Sequence, residues 1–295
     1  MQIISHIPEM QHWSEAKRLE GKKIAFVPTM GFLHEGHLSL VREGKRRGDV
    51  VVVSIFVNPI QFNQRADFAT YPRNLEQDCC LLEEVGTDAL FSPEAPEMYP
   101  EGFQTAVEVD NVSRPLCGAF RPGHFRGVAT VVLKLFSVVR PDRAYFGQKD
   151  AQQVAVVKQM VRDLDLDLEI RVMPTVRDPD GLALSSRNAY LSPEQRQRAL
   201  ALPRALATRD PARARELLAG LDIDYLEVAD FNPPVLAAAV RIDGTRLIDN
   251  AVLDHGVACD AASEVVPTRA ARPIDPGGEG AKRSGPPVPD SKGTR

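Results

Sequence analysis

Little in this sequence points to an extracellular, membrane or nucleic-acid setting. Cys79, Cys80, Cys117 and Cys259 are its four cysteines in 295 residues, and none has C-x-x-C spacing. Neither a zinc ribbon nor a disulfide framework is suggested, and the thiols are expected to be reduced and mostly buried. No run approaches the ~20 apolar residues of a membrane helix. Met1 to Glu20 is mixed polar without the apolar centre of a secretory signal, so a cytoplasmic protein with no membrane partner is expected. Basic residues are not in excess: 36 Lys and Arg face 40 Asp and Glu, a net charge of −4. That balance argues against a protein that lives on nucleic-acid phosphates. The common nucleotide fingerprints are missing too. Gly31 and Gly36 do not fit G-x-G-x-x-G, and Gly44-Lys45 is followed by Arg46 with no glycine five residues upstream. His34-Glu-Gly-His37 is one residue short of the H-E-x-x-H zinc helix, and no third ligand suggests itself for another zinc site.

What is present is a strand, a turn and a helix near the start. Ile24 to Val27 is a short apolar run ending at Pro28, and Thr29-Met30-Gly31 turns the chain. From Glu35 onward Leu38, Leu40 and Val41 show helical spacing. His34 and His37, three apart, share one face of the helix start. Free N–H groups and the positive pole of the helix dipole make that end a seat for phosphate. Gly31 and Gly36 remove bulk where a nucleotide would press on backbone. The alternative for the two histidines is a capping or solvated role.

Further along, Val50 to Val57 is a β-branched run typical of a strand buried on both faces. It is followed by Asn58-Pro59 and a polar loop from Gln61 to Arg73. Asn74 can cap a helix to about Val85, with Leu75, Leu81 and Leu82 inward. Short strands are expected at Asp88 to Phe91 and Thr105 to Val109, and a basic loop at Pro115 to Gly127. A strongly apolar helix follows from Val128 to Val139, then a strand at Ala144 to Phe146, a helix from Ala151 to Leu164 and a strand at Leu168 to Val172. Strands alternating with helices mean an α/β fold with a Rossmann-like parallel sheet over residues 1–175. In such a sheet ligands sit beyond the strand C-termini, where Met30, Asn58 and Gly147 all fall.

From Thr175 the character changes. Ser192-Pro-Glu-Gln195 opens a helix as a capping box. Strands follow at Tyr225 to Val228, Ala238 to Ile242 and Arg246 to Asp249, which together suggest a small α+β lid domain over 176–266. Residues 267–295 hold six Pro and five Gly with almost no large apolar group, a composition expected to be disordered.

Candidate ligands accompany these turns. Lys149, at a helix start, can balance a phosphate. Asp150 and Gln153 have capping-box spacing, although Gln153 can point into a cleft instead. Ser185, Ser186 and Arg187 pair two hydroxyls with a guanidinium, either a phosphate clamp or a solvated loop. Gln61, just past a strand end, offers an amide to a hydroxyl or carboxylate, or lies on a surface loop.

Five blocks, in order and spacing, give the chain a family resemblance: Pro28-Thr-Met-Gly-Phe-Leu-His-Glu-Gly-His37, Phe56-Val-Asn-Pro-Ile-Gln-Phe62, Arg121-Pro-Gly-His-Phe-Arg-Gly127, Gly147-Gln-Lys-Asp-Ala-Gln-Gln153 and Leu182-Ala-Leu-Ser-Ser-Arg-Asn188. Across about residues 20 to 255 the chain resembles the pantoate–β-alanine ligases (pantothenate synthetases) of the HIGH-motif nucleotidyltransferase superfamily. The resemblance implies that ATP and pantoate give pantoyl adenylate and pyrophosphate, and that β-alanine then attacks to give pantothenate and AMP. It implies Mg2+ with the ATP, and a homodimer. It further implies that Met30, Gly31, Phe32, Leu33, His34, Glu35, Gly36 and His37 line the ATP site, with His37 as proton donor. Gly147, Gln148, Lys149, Asp150, Val176, Leu184, Ser185, Ser186 and Arg187 would complete the nucleotide contacts. Gln61 and Gln153 would hold pantoate, with Gln61 also on the β-alanine side. His34, His37, Lys149 and Arg187 are the donors available to stabilise the charge that develops, and no residue resembles an activated nucleophile.

Departures from the family pattern are Gln148 where glutamate is common, Leu184 where methionine is common, and a stretch between Gln195 and Tyr225 that looks shortened. A water-sensitive acyl adenylate calls for a lid, and the Asn63 to Tyr71 loop and the second domain are the candidates. The competing reading is another HIGH-type nucleotidyltransferase with a different acceptor. An RNA-binding synthetase relative fits poorly with an acidic body.

Overall fold

The computed structural model describes residues 1–63 and 65–253, with the side chains of 65–67 left aside. The expected disordered segment 267–295 and Cys259 lie outside the described residues. Of the other cysteines Cys117 is buried, Cys79 is intermediate and Cys80 is exposed, so the expected burial holds only in part.

The first part is a six-stranded parallel sheet in the order β1-β4-β3-β2-β5-β6. Its strands are β1 (Gln2–Ile4), β2 (Ile24–Thr29), β3 (Val50–Ile55), β4 (Ala89–Phe91), β5 (Arg143–Gly147) and β6 (Glu169–Met173). Between them run α1 (Ile7–Leu19), α2 (Glu35–Arg46), α3 (Arg65–Thr70), α4 (Leu75–Glu84), α5 (Ala95–Met98), α6 (Cys117–Phe120), α7 (His124–Val139) and α8 (Ala151–Asp163). Alternation along the strands divides the core. Ala25, Val27, Val51 and Val53 pack with Leu38 and Val41 of α2. Ile24, Phe26, Val52 and Phe146 pack against Val128, Val132, Phe136 and Val157 of α7 and α8. Each such side chain, fully buried, contributes roughly 1.5–3 kcal/mol.

Several expectations need correction. β2 does not stop at Val27 but runs on through Pro28 and Thr29, paired with Ser54 and Ile55 of β3. Its other neighbour β5 pairs only at Ala25 and Phe26, so the missing N–H of Pro28 breaks no bond there. Where β5 leaves β2 the sheet opens, and that opening is the mouth of the site. Thr105 to Val109 is not a strand. The Val107 N–H donates to Thr130 of α7 at 2.9 Å, and the sheet edge beyond β4 is taken by β1. The Gln61 to Arg73 loop contains α3, and the Pro115 to Gly127 loop contains α6 and the start of α7. In α4 the Asn74 cap is present, but Leu75 is exposed and the inner face carries Asp78 and Leu82.

The second part has short helices α9 (Pro193–Ala199), α10 (Ala201–Ala207) and α11 (Pro211–Leu217). They are followed by an antiparallel sheet of β7 (Asp222–Asp230), β8 (Pro234–Ile242) and β9 (Thr245–Val252). The Ser192–Gln195 capping box forms as expected. One face of the sheet, with Leu226, Leu236, Ala238 and Val240, closes a core with the helices. The other, with Tyr225, Val235, Ala237 and Ala239, joins the core of the parallel sheet.

Candidate active site

Beyond the C-terminal ends of β2, β3 and β5 lies a cavity of about 280 Å³. The turn after β2 supplies one wall. Gly31 and Phe32 both have positive φ (80° and 51°), which folds the chain back into α2. Asp78, buried at the start of α4, accepts from the Phe32 and Leu33 N–H groups at 2.8 and 2.7 Å. A β-carbon on Gly31 would meet Asp78 Oδ2 and Ile55 at 3.0 Å, so the space there belongs to the carboxylate. Burial raises the pKa of Asp78 while those two N–H groups lower it.

His34 and His37 stack at the start of α2 with ring centroids 4.1 Å apart. The His34 N–H donates to His37 Nδ1 at 3.4 Å, so the capping role is in part real, and the His37 proton is left on Nε2. Burial, then the Lys149 ammonium, hold His34 down to about 4. Burial, His34 and Lys149 hold His37 well below 6.5. Both rings are therefore neutral hydrogen-bond donors at physiological pH.

From the β5 side comes the turn Gly147–Asp150. Asn250 of β9 clamps it, donating from Nδ2 to the Gln148 and Lys149 carbonyls at 2.9 and 3.0 Å. The Gln148 amide donates to Asn250 Oδ1 at 3.0 Å. Lys149 and Asp150 line the cavity; the Asp150 side chain makes no helix-capping bond, so the capping-box alternative fails and Gln153 lines the cavity too. Val176, Leu184, Ser185, Ser186 and Arg187 form the next wall, joined by the Leu184 N–H to the Val176 carbonyl at 3.0 Å. From the β3 side comes Gln61, buried, its amide donating to Met30 Sδ at 3.2 Å and accepting from Asn58 at 2.9 Å.

Of the residues singled out in the sequence, Met30, His34, Gly36, His37, Gln61, Gly147, Lys149, Asp150, Gln153, Val176, Leu184, Ser185, Ser186 and Arg187 meet in this one cavity. Gly31, Phe32, Leu33, Glu35 and Gln148 do not line it: the first three build the turn against Asp78, Glu35 pairs with Arg42, and Gln148 binds Asn250. Asp78, His124 and Asn250 were not given a role from the sequence, and Asn58 was placed only at the strand end. Asp78, His124 and Asn250 work through distant backbone partners, which no local spacing reveals. Among the described residues no group of three or more His, Cys, Asp or Glu is placed to hold a metal ion.

Residues 2–252 match the sequence model of the family described as Pantoate-beta-alanine ligase. The chain belongs to the pantoate-beta-alanine ligase family. It is 52% identical to a pantothenate synthetase of Geobacter sulfurreducens, over 86% of this chain and 99% of the relative. Identity to that of Trichlorobacter lovleyi is 53%, with the same shares covered. The crystal structure of a Thermus thermophilus pantothenate synthetase superposes with a TM-score of 0.80 at 44% identity, covering 85% of this chain and 99% of that one. The Francisella tularensis pantoate-beta-alanine ligase, complexed with beta-gamma ATP and beta-alanine, gives 0.76 at 38%, covering 85% and 97%. The Geobacter match spans 279 positions, more than 86% of 295 residues supplies, so this member is the shorter within the matched region. Its α9, α10 and α11 are only seven residues each.

Proposed function

We propose that the chain condenses (R)-pantoate with β-alanine at the expense of ATP, through a pantoyl adenylate, releasing pyrophosphate and AMP. The observation that carries this is the convergence of His34, His37, Lys149, Arg187, Gln61 and Gln153 on one cavity. His34, His37, Lys149, Ser185, Ser186 and Arg187 are the donors for the triphosphate. They gather around the N-terminus of α2, whose dipole adds to their field. Gln61 and Gln153 offer amides to the hydroxyls and carboxylate of pantoate, while Val131, Val132 and Leu135 of α7 give its dimethyl carbon an apolar wall.

In the first step the pantoate carboxylate oxygen attacks the α-phosphorus and the bond to pyrophosphate breaks. Charge grows on oxygens that His37, Lys149 and Arg187 can meet, so catalysis is positioning and electrostatic stabilisation. His37 enters as a neutral donor; an arriving polyanion raises its pKa and makes proton donation available. In the second step the amine of β-alanine attacks the acyl carbon, the bond to the AMP oxygen breaks, and the nitrogen loses a proton to solvent.

An Mg2+ ion would enter with the nucleotide. Asp150 is the carboxylate of this wall that would reach it. Bound there, the ion would neutralise the departing pyrophosphate. A homodimer and a cytoplasmic setting belong to the same reading and rest on the family. No helix among the described residues is long and apolar enough to cross a membrane.

The test is AMP release followed with a coupled assay. Turnover should require ATP, pantoate and β-alanine together. Turnover of ATP with some other acceptor in place of pantoate would favour a different nucleotidyltransferase.

A further inference from the structure

Arg121-Pro-Gly-His-Phe-Arg-Gly127 is the block that the reaction above leaves unused. It leads into α7 and grips Gln61 from three sides. A β-carbon on Gly127 would stand 2.6 Å from the Ile60 carbonyl oxygen and 2.7 Å from Gln61 Cα. The Gly127 carbonyl accepts from the Asn58 amide at 3.1 Å, and the same amide donates to Gln61 Oε1. His124 Nδ1 lies 3.0 Å from the Gln61 carbonyl oxygen, and its Nε2 lies 3.0 Å from Arg121 Nη1. A carbonyl only accepts and a guanidinium only donates, so the ring between them is neutral with its proton on Nδ1. Burial and the Arg121 charge, which push His124 down to about 3, keep it so.

An imidazole held at both ends fixes a guanidinium on the wall of the cavity, which Arg121 lines. A planar fork of donors is the natural receptor for a carboxylate. Its anchor is at Gln61, although Arg121 and His124 also share a small neighbouring pocket with Lys149 and Asp150. Lys149 follows β5 on one side of β2, while His124 and Arg121 are anchored to Gln61, which follows β3 on the other. Arg246 also lines the cavity and is paired with Asp224 at 2.6 Å.

We propose that Arg121 is the carboxylate receptor for the amine co-substrate, and that His124 is the positioning residue that aims it. The ligand class is a short ω-amino acid: docking the carboxylate on Arg121 presents the primary amine to the acyl carbon held beside Gln61. Arg121 takes no part in the bond changes; it decides which amines arrive in line. The proposal rests on the ligase reading.

Arg121→Ala and Arg121→Lys are assayed beside the wild type in both half-reactions. Pantoate-dependent exchange of pyrophosphate into ATP, which needs no amine, should stay within about twofold in Arg121→Ala, whereas the KM for β-alanine should rise roughly 10- to 100-fold. With 3-aminopropanamide, which replaces the carboxylate by a neutral amide, the two proteins should have the same kcat/KM. Arg121→Lys should recover part of the β-alanine effect. An unchanged β-alanine KM, or equal losses with β-alanine and its amide, overturns the assignment. If Arg121→Ala loses exchange as well, the same comparison in Arg121→Lys decides: unequal losses support the assignment and equal losses overturn it. Absence of exchange in the wild type would refute the ligase reading instead.

Discussion

Lowering the pH from 7.5 to 5.5 should destabilise the fold by more than about 2.5 kcal/mol, because it titrates the imidazoles of His34, His37 and His124 in the unfolded chain only. His34 is held at about 4 by burial and Lys149, and His124 at about 3 by burial and Arg121. His37 lies well below 6.5 through burial, His34 and Lys149. Unfolded, each returns to about 6.5. As the pH falls through that value the unfolded chain takes up protons that the fold refuses, so stability present above about 6.5 is lost below it. With folded values of about 4 and about 3, His34 and His124 each cost about 1.3 kcal/mol across this window, and His37 adds in the same direction. Asp78, raised by burial, works in the opposite sense, and carboxylates with lowered pKa act below the window. Urea unfolding at fixed ionic strength reads the effect: with an m-value of about 3 kcal/mol/M the midpoint should drop by about 1 M. His124→Asn, which keeps a donor for the Gln61 carbonyl, should remove about 1.3 kcal/mol of the change. A midpoint flat across the window would mean that the rings titrate in the fold, and the neutral-donor account of the site would be wrong.

Two substitutions probe the site more directly. His37→Ala should slow adenylate formation by roughly 100-fold while ATP affinity changes far less, since the ring meets charge that grows in the transition state; equal losses in stopped-flow rates and in nucleotide titrations would make it only a binding group. Gly127→Ala forces a β-carbon into the Ile60 and Gln61 backbone. Overpacking of that kind should cost about 1–3 kcal/mol in urea unfolding and raise the KM for pantoate; an unchanged KM would show that the Gln61 backbone can move without effect.

Much of the sheet was legible because its strands are β-branched runs separated by helices of amphipathic period. β1 was not, since three residues carry no period and its pairing with Ala89–Phe91 is set by a contact far along the chain. Thr105 to Val109 has the composition of a strand, but tertiary packing on α7 claims its hydrogen bond. In the site, His34, His37, Lys149 and Ser185–Arg187 could be picked out because each lies at a turn whose local spacing has a chemical meaning. Asp78 and Asn250 act on backbone groups 45 and 101 residues away, and His124 on one 63 away. A single sequence holds no mark of such partnerships. Gln148 shows the converse: it sits in the Gly147–Asp150 turn among residues that line the cavity, yet its own side chain serves to hold β9.

Exchange of labelled pyrophosphate into ATP, measured with each acid supplied alone, bears most directly on the claim that one cleft activates an acid before the amine reacts. Pantoate alone should support exchange, and β-alanine alone should not. Exchange that ignores pantoate, or that starts only when β-alanine is added, would contradict the account.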